Sequence, residues 1–274
     1  MLYMLIMFGY INSRINRKSC GKIAVIAVIL AFLALSGCYQ SANTPRLGLV
    51  QNKAVMPPPQ LFAGVSVENR PIMYYVLGRG SDVTFIMAAI HGDEPAGTPL
   101  ANHLVRHLNE NPELLIDRRV VIIPVANPDG LAEKKRFNAN EVDLNRNFPA
   151  DNRTKDKELG PSALSEPEAH IINELLKQYN PDRIVSIHQP YGCIDYDGPA
   201  QNLANEMAKY CDLPVKKVGA QPGSLGSYAG LKLGIPIITF EMLENDSNLN
   251  EQILWQRYAN ALLAAITYSE SSQI

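Results

Sequence analysis

His91 and Glu94 stand three residues apart, directly after Val83-Thr84-Phe85-Ile86-Met87-Ala88-Ala89-Ile90, a run that carries no charge. Its length and β-branched content suit a strand buried on both faces. An imidazole and a carboxylate at the tip of such a strand can converge on one metal ion. His188 closes a second strand-like run, Arg183 to Ile187, and Glu241 closes a third, Ile235 to Phe240. Two imidazoles and one carboxylate match the three protein ligands of a catalytic zinc ion, which keeps a further position for water. His91, Glu94 and His188 are therefore the expected metal ligands. His103 and His107 form a rival pair on one helical face. Leu104 stands where the zinc helix signature carries Glu, and it belongs to the apolar stripe Leu100, Leu104, Leu108, so no metal is expected there.

Positioning such groups takes alternating strands and helices. Val65-Ser66-Val67-Glu68 and Ile72 to Leu77 read as a hairpin turning at Asn69-Arg70-Pro71. Helix is expected from about Ala96 to Asn109, then strand from Val120 to Val125, then a turn at Asn127-Pro128-Asp129-Gly130. The polar, irregular stretch that follows is of a kind that usually marks function in a compact domain. Ser165 with Glu168 predicts a capping box for a helix ending near Tyr179. Further helices are expected over 200–210 and 250–267, with a Gly- and Pro-rich loop at 219–226. This alternation predicts a single α/β domain over 61–268, with a central mixed, mostly parallel sheet flanked by helices. In open α/β sheets ligands bind beyond the carboxyl ends of strands, which is where His91, His188 and Glu241 fall.

His91-Gly92-Asp93-Glu94, then Asp143-Leu144-Asn145-Arg146-Asn147-Phe148-Pro149, then the strand-end His188 and Glu241 together resemble the carboxypeptidase A-type zinc peptidases. Within that family, Asn127-Pro128-Asp129-Gly130, the stretch from His188 to Pro199 and Pro222 to Tyr228 look closest to murein peptide amidases. Those enzymes cut the bond between γ-D-glutamate and the diamino acid of peptidoglycan peptides. The resemblance spans roughly residues 61 to 265. It implies one zinc ion on His91, Glu94 and His188, with Glu241 as the general base that moves a proton from water to the leaving amine. It implies Arg136 as the group polarising the scissile carbonyl, Asn145 and Arg146 as the grip on the neighbouring carboxylate, and Asp143 as the orienter of His91. Ser224 and Leu225 fall where the family lines its side-chain pocket. The family's mobile tyrosine, placed over the substrate carboxylate, has no match near Val218-Gly219-Ala220, and Tyr228 aligns with a packing position.

The first 38 residues read as separate from that domain. Arg14, Arg17, Lys18 and Lys22 precede Ile23 to Leu35, a run without a polar side chain and short for a membrane span. Leu35-Ser36-Gly37-Cys38 resembles a bacterial lipobox, which implies cleavage before Cys38 and lipidation of that cysteine; an uncleaved anchor is the alternative. Residues 39–60 read as a flexible, Pro-containing tether and 269–274 as a tail. An exported protein lipid-anchored to a bacterial membrane, facing the periplasm or the cell exterior, is the expectation. Without residues 1–38, which hold four of the 25 basic residues and no acidic one, 21 basic residues face 27 acidic ones, a formal charge of −6. No basic cluster tracks a phosphate backbone, so nucleic acid is not an expected partner. Cys193 and Cys211 either bridge, as export allows, or remain buried thiols.

The leading expectation is zinc-dependent hydrolysis of an amide in peptidoglycan-derived peptides. Two other readings stay open: an aspartoacylase-like zinc deacylase of N-acyl amino acids, and a lipoprotein that binds peptidoglycan without cutting it.

Overall fold

A computed structural model describes residues 56–269. The expected signal segment, Cys38 and most of the expected tether lie outside the described residues. Seven strands are present: β1 (Leu61–Val65), β2 (Pro71–Gly78), β3 (Asp82–Ala88), β4 (Arg118–Ile123), β5 (Arg183–His188), β6 (Tyr191–Asp197) and β7 (Ile237–Leu243). They form one sheet in the order β1-β2-β4-β3-β5-β7-β6. The four central strands β4, β3, β5 and β7 are mutually parallel, while β1, β2 and β6 join antiparallel. The sheet is thus mixed and parallel at its centre, and helices cover it, as expected. These are α1 (Gly97–Glu110), α2 (Pro128–Glu133), α3 (Pro167–Tyr179), α4 (Gln201–Ala208) and α5 (Glu251–Thr267).

The uncharged run before His91 has a direct structural cause. Side chains alternate across a strand, and both faces of β3 are covered. Ile86 and Ala88 pack with Leu100, Leu104 and Leu108 of α1 and Leu262 of α5, whereas Phe85 and Met87 pack with Ile172 and Leu176 of α3. Burying each large apolar side chain contributes roughly 1.5–3 kcal/mol, so this two-sided packing anchors the strand that leads into the site.

The chain departs from the sequence expectations at several points. β3 ends at Ala88, because Ala89 turns into the left-handed region at φ 51°, and His91 lies three residues past the ladder. Glu241 is inside β7, which β6 prolongs by pairing Tyr191 with Leu243. Asn127-Pro128-Asp129-Gly130 starts a helix instead of a turn: the Asn127 side chain accepts from Gly130 N–H at 2.9 Å and Pro128 takes the first helical position. The capping box at Ser165 does not form. Glu168 is drawn instead to Val67 N–H and Asn138, and the Ser165 hydroxyl donates to Glu166. A π-helical turn over Gly226–Lys232 was not expected.

Cys193 and Cys211 are free thiols. Cys193 points away from the face on which its neighbour Ile194 packs, while Cys211 packs on that same Ile194 face, so the sheet separates the two sulfurs. No helix among the described residues is long and apolar enough to cross a membrane.

Asn127 caps α2 and also donates to Ile90 O at 3.3 Å, just ahead of His91. Asn127→Ala is expected to destabilise the fold by about 1–2 kcal/mol. Urea unfolding checks this as a lowered midpoint with an unchanged slope.

Candidate metal centre

Three neighbouring parallel strands, β3, β5 and β7, deliver the reactive side chains. The β3–β5 ladder ends at Ala88 opposite Ile187, and the β5–β7 ladder places His188 opposite Glu241. Beyond β3 the chain is held to the end of β4 by Ala126 N–H to Ala88 O, 3.0 Å, and Asn127 N–H to Ala89 O, 2.9 Å. Gly92 then passes so close to α2 that a Cβ on it would lie 1.9 Å from the Gly130 carbonyl carbon. Only glycine allows that approach, and it turns His91 and Glu94 toward His188.

His91, Glu94 and His188 are 2%, 5% and 3% exposed. Glu94 sits between the imidazoles, with Oε1 2.7 Å from His91 Nδ1 and Oε2 2.8 Å from His188 Nδ1. The remaining ring nitrogens are held from behind: His91 Nε2 by Asp143 Oδ1 at 3.0 Å, His188 Nε2 by Ser186 Oγ at 2.9 Å. Both rings are thereby oriented with Nδ1 inward, the arrangement by which outer partners fix the tautomer of a metal-ligating histidine. Among the described residues this is the one group of three His, Cys, Asp or Glu whose ligand atoms all lie within 4.8 Å of one another. Two imidazoles and a carboxylate, each with a backing partner, suit zinc in its hydrolytic role.

The charges are strongly coupled. Burial would lower the His91 pKa, but the Glu94 carboxylate, with Asp143, raises it to about 9. Burial works the other way on Glu94, and the two imidazoles overcome it and hold that carboxyl well below the usual range. Asp143 is likewise held low by His91 and Arg136 against its burial.

Asp143 also links the site to the loop that follows α2. It accepts from Arg136 Nε at 3.1 Å and from the Asn145 backbone N–H at 2.9 Å. Arg136 reaches Glu94 Oε1 as well, at 3.3 Å, so its guanidinium stands at the edge of the ligand set. Asn145 accepts from Leu225 N–H through Oδ1 at 3.0 Å, which leaves its Nδ2 as the outward donor. Arg146 donates to Asn145 O at 2.8 Å. Ser224 and Leu225 lie buried behind this pair: the Ser224 hydroxyl accepts from Ser227 N–H, and the Leu225 side chain packs in the core near Phe148 and Tyr228. Glu241, 6% exposed, accepts from Tyr191 N–H at 3.4 Å and is not among the three ligands.

The remaining sequence expectations are also located. Tyr228 stacks on Phe148 and donates to Asn173 Oδ1 at 2.9 Å, a packing role. His103 stacks on Trp255 at 4.3 Å and meets Glu251 at 2.6 Å, while His107 tilts against the same indole. Asp93 is exposed to solvent. Ser186 escaped the sequence reading, although its place two residues before a strand-end histidine puts both side chains on one face.

A family model for zinc carboxypeptidases matches residues 60–208, a span that includes every residue above except those from 224 onward. Murein peptide amidase A of Escherichia coli K12 is 32% identical over 208 residues, covering 69% of this chain and 83% of that protein. Its Vibrio campbellii counterpart is 30% identical over 198 residues, 65% and 77% of the two chains. The solved murein-tripeptide amidase of E. coli O157 superposes with a TM-score of 0.64 at 27% identity, over 79% of this chain and 94% of that one. Carboxypeptidase A of Helicoverpa armigera shares the fold, with a TM-score of 0.63 at 20% identity over 77% and 69%.

Zinc must displace the proton that His91 retains below about pH 9. Zinc affinity is therefore expected to rise by up to about tenfold per pH unit toward that value and to level off above it. Competition titrations against a chromophoric chelator on both sides of that pH check the slope. In the same assay Asp143→Asn and Ser186→Ala should each bind zinc roughly 10- to 100-fold more weakly.

Proposed function

Because this chain belongs to the zinc carboxypeptidase family, we propose that it hydrolyses an amide bond in peptidoglycan-derived peptides, the one joining γ-D-glutamate to diaminopimelate. The observation that carries this reading is the register of β5 and β7: a carboxylate that is not a ligand, Glu241, stands directly beside His188 of the metal-binding set. Similarity to the murein peptide amidases supports the substrate class.

Zinc held by His91, Glu94 and His188 supplies Lewis acidity that makes water a nucleophile near neutral pH. Glu241 accepts the proton of the attacking water and passes it to the leaving amine. Burial raises the Glu241 pKa, with His188 opposing and Glu94 adding to the rise. A carboxyl with a raised pKa holds the proton long enough to hand it on. Arg136, kept cationic by Asp143 and Glu94 despite burial, donates to the carbonyl oxygen as negative charge develops there. Asn145 Nδ2 and Arg146 grip the carboxylate next to the scissile bond, where a planar guanidinium can form two parallel bonds. Behind them the Leu225 N–H holds Asn145 Oδ1 in place.

In the same proposal Cys38 carries the lipid and residues 39–60 tether the domain to a bacterial membrane, on the side where peptidoglycan lies. Membrane fractionation of cells expressing Cys38→Ala should then find the protein released from the membrane fraction.

The activity is tested on L-Ala-γ-D-Glu-diaminopimelate, with free diaminopimelate read by mass spectrometry. Chelation should abolish release and zinc should restore it. Glu241→Gln should keep zinc and lower kcat by roughly 100- to 10,000-fold, and Arg136→Ala by about 100- to 1,000-fold. Release by metal-free protein, or preferential turnover of N-acyl amino acids, would overturn the reading.

A further inference from the structure

The β3–β5 ladder stops at Ala88, so His91 and Glu94 project three and six residues beyond the last paired residue of their strand. Glu241 likewise lies near the end of β7. Something must fix these strand ends against one another, and one side chain reaches both. Gln189, 4% exposed and adjacent to His188, accepts from Ala96 N–H through Oε1 at 3.1 Å. Its Nε2 donates to Leu243 O at 2.9 Å, to Glu244 O at 3.4 Å and to Ser247 Oγ at 3.1 Å. Its own backbone N–H donates to Glu94 Oε2 at 3.1 Å, the same oxygen that meets His188.

The partners sit at informative places in the chain. Ala96 is two residues past Glu94, and Leu243 is two residues past Glu241. Gln189 thus ties together the loop that carries two metal ligands, the strand that carries the third and the strand that carries the base. The amide is also the group the position demands. One side must accept from a backbone N–H while the other donates to backbone carbonyls, and neither a carboxylate nor a hydrocarbon can do both.

We propose that Gln189 is a positioning residue of the metal centre, clamping the loop that follows β3 to the ends of β5 and β7 so that Glu94 and Glu241 keep their places relative to His188. Displacing reacting groups by about 1 Å can reduce turnover on the order of 100-fold, and losing outer partners of metal ligands typically weakens metal binding 10- to 100-fold. The inference rests on the zinc reading of the site but not on the identity of the substrate, since its main readout needs no substrate.

Two substitutions separate clamping from mere bulk. Gln189→Met fills similar space without polarity, and Gln189→Glu keeps the acceptor but turns a carboxylate toward two carbonyls. In each, zinc release to excess chelator should be roughly 10- to 100-fold faster than in the wild type. The zinc-saturated variants should show a comparable loss in kcat on the murein tripeptide, with KM little changed. A structural role alone would lower the melting temperature of the metal-free protein and leave zinc release and kcat per folded molecule as in the wild type; that result overturns the proposal. Ser247→Ala guards against variants that do not fold, because Ser247 is exposed and its loss removes only one arm of the clamp. It should speed zinc release on the order of twofold to fivefold, with unchanged melting of the metal-free protein. If neither Gln189 variant folds, wild-type release from Ser247→Ala overturns the clamp. Wild-type protein that fails to bind zinc at all would instead overturn the reading of the site itself.

Discussion

A single carboxylate shared between two imidazoles sets the terms for the rest of the molecule. Glu94 is almost fully buried between His91 and His188 at 2.7 and 2.8 Å. An ionised carboxylate placed there without partners would be costly, and removing one partner of a buried pair typically costs 3–5 kcal/mol. The site is therefore stable only if both imidazoles arrive together, and they come from strands far apart in sequence. The parallel β3–β5–β7 core meets that condition. It holds three adjacent strand ends in fixed register, while the layers of Leu, Ile and Phe on both faces keep the strands from slipping.

The irregular stretch after α2 answers to the same carboxylate. Arg136 contacts Glu94 directly, and Asp143 reaches it through His91. Asp143 in turn accepts from Arg136 and from the Asn145 backbone. A segment with little regular structure is thereby pinned by charge-assisted hydrogen bonds to the metal-binding set, which is how a long loop stays ordered in a compact domain. Arginine at position 136 suits this task better than lysine, since its fork can bond Asp143 and Glu94 at once.

The sequence made some of this legible and hid the rest, for identifiable reasons. His91, Glu94, His188 and Glu241 were readable because each follows an apolar strand-like run, and burial on both faces of a sheet leaves that signature. β6 was missed because Tyr191 to Asp197 alternates with buried carboxylates, Asp195 and Asp197, in place of apolar side chains. Asn127-Pro128-Asp129-Gly130 reads as a turn from its residue types, and the bond from Gly130 N–H to the Asn127 side chain makes it a helix start instead. The Ser165–Glu168 box failed because long-range partners, Val67 and Asn138, outcompeted a local one. The possible Cys193–Cys211 bridge was undone by strand parity, which no count of cysteines reveals.

These failures share a cause with the arrangement of the catalytic groups. Local pattern predicts what a residue does when its neighbours in sequence are its partners in space. Glu94 bonds residues 91 and 188, Asp143 bonds 91 and 136, and Asn145 bonds 225. The Glu94–His91 and Asp143–Arg136 contacts are local, but the others join segments that only the sheet brings together, since β4 lies beside β3 and β3 beside β5. The metal-binding residues can be named from the sequence because their residue types are rare at strand ends. The supports, Ser186 bonded to His188 Nε2 and Gln189 bonded to Ala96 N–H and Leu243 O, are ordinary polar residues whose importance lies entirely in the partners that the fold brings to them. A zinc site on this fold is therefore specified twice, once by residue type at the strand tips and once by the geometry that the buried sheet imposes on everything around them.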